Sequence, residues 1–163
     1  MAIYIVPDVP LLPQDRTNGC WYFSAKMVAK YSRGTVKDPE TVPVLKNLYD
    51  GNCGWSTKTA KDLAAHLGMD AVARDPRGPK EMRNLLVTGP VWAAGMLPQG
   101  ASSFAHVVVI AGVADTGVLV LNPLPLNVGE RSWKTWAWLD QFIALDNGDF
   151  DRNFLCIRMG VCN

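Results

Sequence analysis

Residues 14–25 read QDRTNGCWYFSA, a polar loop that gives way to an apolar, helix-prone segment at Cys20. Asn18 and Gly19 supply turn chemistry immediately before the cysteine. A thiol at a helix N-terminus lies at the positive end of the helix dipole, which stabilises the thiolate, the reactive form of the group. The stretch therefore predicts a main helix over residues 20–31 that begins with a nucleophile.

Three polar residues elsewhere supply the other groups that a cysteine nucleophile needs. His106 heads a strongly apolar, strand-like run and can act as base and then as acid, and Asn122 closes the next such run and can orient the imidazole. Gln14 precedes Cys20 by six positions. Its side-chain N–H, together with the backbone N–H of Cys20, can form an oxyanion hole. We predict that Cys20, His106, Asn122 and Gln14 form a catalytic site.

Taken singly, each of these residues has an ordinary structural explanation. A cysteine in a helix is often a small buried hydrophobe, a histidine before a strand is often a solvated strand end, and an asparagine before proline is usually a turn residue. Their joint occurrence at these spacings favours the catalytic interpretation. The other histidine, His66, lies in a helix-like segment that is expected to be packed or half-exposed, so it is not predicted to be catalytic.

Length and composition predict one domain over residues 1–163, with residues 1–13 as an extended, proline-rich N-terminal segment. The net charge is +1 and no basic stripe occurs, which argues against non-specific nucleic-acid binding. No run of 18 apolar residues exists, so no membrane span is expected. The first residues lack the basic flank and the length of a cleavable signal peptide.

The remaining cysteines are Cys53, Cys156 and Cys162. Their spacing matches no zinc pattern, and no Cys-x-x-Cys occurs, so no metal or cofactor is implied. We expect small buried or half-buried residues, with an unforeseen disulfide as the alternative.

Helical patterns dominate the first half of the chain and strand patterns the second, which predicts an α+β fold. Asp38 is expected to cap a helix that starts at Pro39. The further expected helices cover residues 57–67 and 79–87; the expected strands cover residues 91–97, 105–114, 117–123 and 154–159; and residues 133–142 are read as a strand that runs into a short helix.

The nucleophile segment and the two strand patterns resemble the papain-like cysteine proteases. A tryptophan, Trp21, directly follows Cys20, Gln14 stands six positions before it, and Asn122 follows His106 by sixteen. The tract HVVVIAG at residues 106–112, followed by an Asn-Pro after a hairpin, is similar to the short bacterial C39-like and AvrRpt2-like groups. The resemblance spans roughly residues 9–145 and implies a main helix packed on an antiparallel sheet that carries His106 and Asn122.

The resemblance implies a cysteine endopeptidase that acts on a protein or peptide. Because Cys20 and His106 are only 86 positions apart and the Cys-Gly-Ser of the fuller signature is missing, the substrate-binding elaborations of larger members should be trimmed. Members of the short branches include secreted effectors and contact-dependent toxins. The resemblance thus implies synthesis in a bacterial cytoplasm, delivery by a specialised secretion system and a cognate immunity protein that occupies the Cys20 cleft.

Two other functions stay open at this stage. A Cys-His-Asn site also serves amidases, deamidases and acyl transferases, such as peptidoglycan amidases. A C39-like docking module that has lost turnover is the second alternative. For substrate binding we expect weak contributions from Trp21 and Phe104, and Trp133, Trp136 and Trp138 are expected to fill core rather than line a groove.

Overall fold

The computed structural model describes residues 2–55, 59–144 and 150–158. Within these ranges the α-helices are α1 (Cys20–Ser32), α2 (Pro43–Asp50), α3 (Ala60–Leu67), α4 (Pro79–Leu86) and α5 (Trp136–Ala144), and a 3₁₀ turn covers Pro39–Thr41. The strands are β1 (Tyr4–Ile5), β2 (Met69–Ala71), β3 (Val91–Gln99), β4 (Ser102–Ala114), β5 (Gly117–Asn122), β6 (Glu130–Thr135) and β7 (Phe154–Ile157).

The strands of the described residues form one antiparallel sheet in the order β2-β7-β3-β4-β5-β6, and β1 also pairs with β4. Helices cover both faces. Val107 and Val109 of β4 pack toward the cluster that contains α1 and α3, whereas Val108 and Ile110 pack toward the one that contains α4 and α5. This alternation follows from the two-residue period of a strand that is buried on both faces. The predicted α+β fold, with the nucleophile helix packed on the sheet, is confirmed.

Helix α1 forms as predicted, and most of its side chains are buried. It ends at Arg33, which adopts the left-handed conformation. The helix expected from Pro39 is instead divided in two. Asp38 caps the short 3₁₀ turn, and α2 begins only at Pro43. The division has a local cause, since a proline has no N–H to donate and forces the residue before it out of the helical region.

The central hairpin of β3 and β4 is longer than predicted. The two strands pair without interruption from Val91 with Ile110 to Gln99 with Ser102, and Gly100 makes the turn at a φ of 59°. Because β4 starts at Ser102, His106 lies inside the strand and does not open it.

Other boundaries also differ. Strands β1 and β2 were not foreseen, and both are short, with two and three residues. The third helix begins at Ala60 after a Thr59 cap. The last strand ends at Ile157. Parts of the sequence predictions for the third helix and the last strand, residues 57–58 and 159, lie outside the described residues.

None of the helices in the described ranges is both long enough and apolar enough to cross a bilayer.

Gly95 lies on β3 opposite His106 of β4, where α5 packs closely against the sheet. An added Cβ would collide with the carbonyl oxygen of Phe142 and would lie 2.6 Å from its ring. We expect Gly95→Ala to lower the free energy of unfolding by about 2 kcal/mol, since α5 must move away. Urea unfolding measures the loss. Gly51→Ala is the control, because its Cβ would meet no atom nearer than 3.4 Å; an equal effect of both changes would contradict the prediction.

Candidate active site

A cavity of about 390 Å³ opens at the N-terminus of α1. Cys20, the first residue of the helix, lines it together with His106 from β4. The two residues, 86 positions apart in sequence, therefore face the same space. Among the described residues, the lining contains no Asp, Glu, Lys or Arg side chain.

The imidazole of His106 is oriented by Asn122, at the end of β5. Its Nε2 lies 2.7 Å from the Asn122 Oδ1, which also accepts the backbone N–H of Leu124 at 2.9 Å. An atom that accepts a backbone N–H must be the amide oxygen, so the imidazole donates through Nε2. The neutral ring then keeps its lone pair on Nδ1, which is the nitrogen left to take a proton.

Val107 lies on β4 beyond the point where the pairing of β4 with β5 ends. The pairing runs only as far as Val109 with Leu121. The N–H and C=O of Ala94, opposite Val107 on β3, are both bonded to Asn153. The polar groups of Val107 therefore point away from β3. Its carbonyl accepts the Ser24 hydroxyl of α1 at 3.2 Å, which fastens the nucleophile helix to the histidine strand.

Burial raises the pKa of the Cys20 thiol to about 11, although the backbone N–H groups of Val107, Trp21 and Cys20 itself act in the opposite direction. The N-terminus of α1 was expected to stabilise the thiolate, and burial of the thiol opposes that effect. The N–H groups favour the anion as expected, but the loss of solvation outweighs them.

Burial also lowers the pKa of His106 to about 4, and the hydrogen bond to Asn122 opposes this only in part. The side chain is 2% exposed. At neutral pH both shifts favour a thiol and a neutral imidazole at the same cavity.

Gln14 lies beside the site rather than at the cavity wall. Its side chain is completely buried, and it is not one of the described residues that line the cavity. Its amide nitrogen donates to the carbonyl oxygens of Arg16 at 2.8 Å and Thr17 at 3.1 Å. Its amide oxygen has no hydrogen-bond partner in the described structure. Both N–H donors thus hold the loop before Cys20, and neither is directed at the cavity.

The two residues expected to contact substrate, Trp21 and Phe104, do line the cavity. The tryptophans of β6 and α5 lie elsewhere. Trp136 and Trp138 are half-buried against the core, as expected, whereas Trp133 is 44% exposed on β6, so the core interpretation is wrong for it. Strand β6 ends the sheet order, so its side chains are less covered.

Several lining residues were not identified from the sequence. Trp55 and Phe150 form part of the wall, and Leu124 and Leu126 follow Asn122 along the chain. The position of the two leucines directly after a predicted catalytic residue could have indicated them. Trp55 and Phe150 carry no such signal, because only the tertiary fold brings their loops to Cys20.

Neither Cys53 nor Cys156 lines this cavity. Cys20, Cys53 and Cys156 form no disulfide with one another. Cys156 is half-buried as expected, but Cys53 is exposed, contrary to expectation, and Cys162 lies outside the described residues. Within the described ranges no three His, Cys, Asp or Glu side chains are grouped as metal ligands would be. His66 is exposed on α3 and does not line the cavity.

Known proteins resemble this chain both in fold and in sequence. The chain shares its fold with a crystal structure from Bacillus anthracis described as a C39-like peptidase, with a TM-score of 0.55 and 13% sequence identity over 96% of this chain and 98% of that one. No curated protein matches the chain significantly. Residues 4–140 match the family model of the papain-like cysteine protease AvrRpt2, peptidase family C70. The chain therefore belongs to the AvrRpt2 family of papain-like cysteine proteases.

Proposed function

We propose that this protein is a cysteine endopeptidase in which Cys20 attacks the peptide carbonyl, His106 transfers the proton and Asn122 orients His106. The observation that carries the proposal is the shared cavity of Cys20 and His106, with the histidine held by Asn122 at 2.7 Å so that Nδ1 keeps its lone pair. A thiol needs a base of this kind, because burial keeps its pKa at about 11.

The reaction begins from the neutral pair. As the sulfur of Cys20 bonds to the peptide carbonyl carbon, its proton passes to Nδ1 of His106, and the imidazolium that forms is stabilised through its Nε2–H bond to Asn122. The imidazolium then protonates the leaving amine, and the C–N bond breaks to leave a thioester. Water, deprotonated by the neutral imidazole, hydrolyses the thioester and returns the thiol.

The oxyanion requires N–H donors near the sulfur. The backbone N–H groups of Cys20 and Trp21 lie at the start of α1, where helical partners are lacking, and both favour negative charge at the sulfur. Gln14 is the predicted side-chain donor. For this role one of its N–H groups would have to leave the carbonyl of Arg16 or Thr17 when substrate binds.

The wall of the cavity suggests a neutral, largely apolar substrate segment. Phe104 and Trp21 line it beside the catalytic residues, and the described lining carries no formal charge at neutral pH. A charged side chain in this space would lose hydration without gaining a partner, which costs several kcal/mol by typical values. We therefore infer that the residues next to the scissile bond are uncharged.

The bond that is cut distinguishes the endopeptidase from an amidase acting on peptidoglycan. We expect the wild-type protein, incubated with a bacterial cell lysate, to generate new protein N-termini detectable by mass spectrometry. Purified sacculi should release no amino groups above the level of a Cys20→Ala sample. Release from sacculi alone would support the amidase, and a wild-type protein inert in both assays would support the docking module.

We further propose that the peptidase is an effector or toxin made in a bacterial cytoplasm and delivered by a specialised secretion system. This proposal rests on the family resemblance, as does the cognate immunity protein expected to occupy the Cys20 cleft. A partner of this kind should protect Cys20 from alkylation by iodoacetamide, and equal labelling with and without it would contradict the proposed binding site.

A further inference from the structure

The loop that carries the nucleophile is fastened to the end of α2 by contacts that surround one aromatic residue, Tyr49. Its hydroxyl donates to the carboxylate of Asp15, at 2.7 Å from each oxygen. Its backbone carbonyl accepts the Arg16 guanidinium at 3.1 Å, and the same guanidinium lies 4.0 Å above the Tyr49 ring. Asp15 and Arg16, two successive residues of the loop before Cys20, therefore both contact Tyr49.

The Tyr49 ring also packs against α1, the helix that begins with Cys20. The Tyr49 ring stacks on Tyr22, in the first turn of α1, with centroids 4.0 Å apart and planes 6° apart. The ring also meets the edge of Phe23 at 5.7 Å. Tyr49 is buried, so these contacts are made in a packed environment. One side chain thus contacts the chain on both sides of Cys20.

The turn that follows α2 adds contacts of the same kind. Asn18 donates its backbone N–H to the Asn52 side chain at 3.1 Å and its side-chain N–H to the Asn52 carbonyl at 2.8 Å. The Trp21 indole donates to the carbonyl of Cys53 at 3.0 Å. Gly54 and Trp55, which come next, line the cavity. The turn after α2 therefore contacts the loop before Cys20 and continues into one wall of the cavity.

We propose that Tyr49 is a positioning residue for Cys20, acting through its hydrogen bond to Asp15 and its stacking on Tyr22. This inference rests on the proposed function, since it concerns the same nucleophile. Tyr49 itself does not line the cavity of the described structure. Its effect on the reaction must then come from the placement of the loop, and displacements of about 1 Å can slow a positioned reaction by as much as 10²-fold.

The test measures the rate at which iodoacetamide alkylates Cys20, resolved by mass spectrometry of the peptide, with Cys156 as the internal reference. Tyr49→Phe removes the hydroxyl and keeps the ring, so the stacking on Tyr22 remains. We expect alkylation of Cys20 to slow by about tenfold, while Cys156 reacts as before and the melting temperature changes little. Cleavage of fluorescein-labelled casein should show the loss mainly in kcat.

Asp15 provides the matched variants. Asp15→Ala removes the hydrogen bond to Tyr49 and also the contact of Asp15 with the Arg16 Nε at 3.0 Å, so it should slow alkylation of Cys20 at least as much as Tyr49→Phe. Adding Tyr49→Phe to Asp15→Ala should slow alkylation no further, because the hydrogen bond between the two residues is already lost. Asp15→Asn keeps an oxygen acceptor for the hydroxyl and should restore most of the rate. If Tyr49→Phe fails to fold, the alkylation rate of Cys20 in Asp15→Ala, compared with that in Asp15→Asn, tests the same hydrogen bond.

A Tyr49→Phe protein that alkylates within twofold of the wild-type rate would overturn the proposal, as would fully additive effects of the two changes. The alkylation measurement does not depend on peptidase activity. If the wild-type protein cleaves neither casein nor any lysate protein, the endopeptidase proposal fails, while the ratio of Cys20 rates still decides whether Tyr49 positions the thiol.

Discussion

Replacing Cys20 with alanine should abolish peptide cleavage, with a loss in kcat on the order of 10⁵-fold. The sulfur is the nucleophile that forms the covalent bond between protein and substrate in this mechanism, and the cavity offers no second thiol among its described lining residues. The residual rate would come from the oxyanion donors and substrate binding, which act without the nucleophile. New N-termini in a lysate treated with wild-type and variant protein measure the difference.

Cys53 supplies the control for this prediction. It is exposed and does not line the cavity, so it should react with alkylating reagents without contributing to cleavage. We expect Cys53→Ala to keep the wild-type rate. An epoxide-type thiol inhibitor should label Cys20 in the wild type and in Cys53→Ala. If the inhibitor instead labels Cys53 or Cys156, or if Cys20→Ala remains active, Cys20 is not the nucleophile.

The second large effect is a loss of stability in mild acid that depends on His106. Burial lowers the pKa of this histidine to about 4, below the value of about 6.5 that it has in an unfolded chain. Between these two pH values the unfolded state binds a proton that the native state excludes, so acidification favours unfolding. The contribution of neutral His106 is fully present above pH 6.5 and is lost as the pH falls to about 4, which amounts to about 3 kcal/mol.

Urea unfolding of the wild type and of His106→Gln from pH 7.5 to pH 4 tests this prediction. Glutamine does not titrate and can still donate a hydrogen bond to Asn122. Asp15 and Glu130 also have lowered pKa values, but they are common to both proteins and cancel in the difference. We expect the wild type to lose about 3 kcal/mol more than the variant over this range.

The sign of this difference also identifies the resting state of the site. If the free protein held a thiolate and an imidazolium, the pKa of His106 would be raised, and the wild type would gain stability over His106→Gln as the pH fell through that value. A gain of this kind would contradict the neutral pair. It would also mean that the N–H groups near the sulfur outweigh its burial.

The sequence predicted local structure best where one segment carries its own signal. The apolar run after Cys20 forms α1, and Gly68, at a φ of 73°, ends α3 as expected from a glycine after the last apolar residue. The prediction for residues 38–50 was wrong because the cap at Asp38 was recognised while the interruption by Pro43 was not. The short strands β1 and β2 were missed because two or three residues carry too little periodicity.

Local chemistry in the sequence determined which residues could act: a cysteine at the start of a helix, a histidine in an apolar strand and an asparagine at the end of the next. Only the tertiary structure decides which protonation states are favoured for them and which residues surround them. Burial, which favours the neutral forms of Cys20 and His106, depends on how α1, β4 and the loop at Leu124 enclose the cavity. The fastening of the nucleophile loop at Tyr49 likewise joins segments that are distant in the chain, and no spacing in one sequence reveals such contacts.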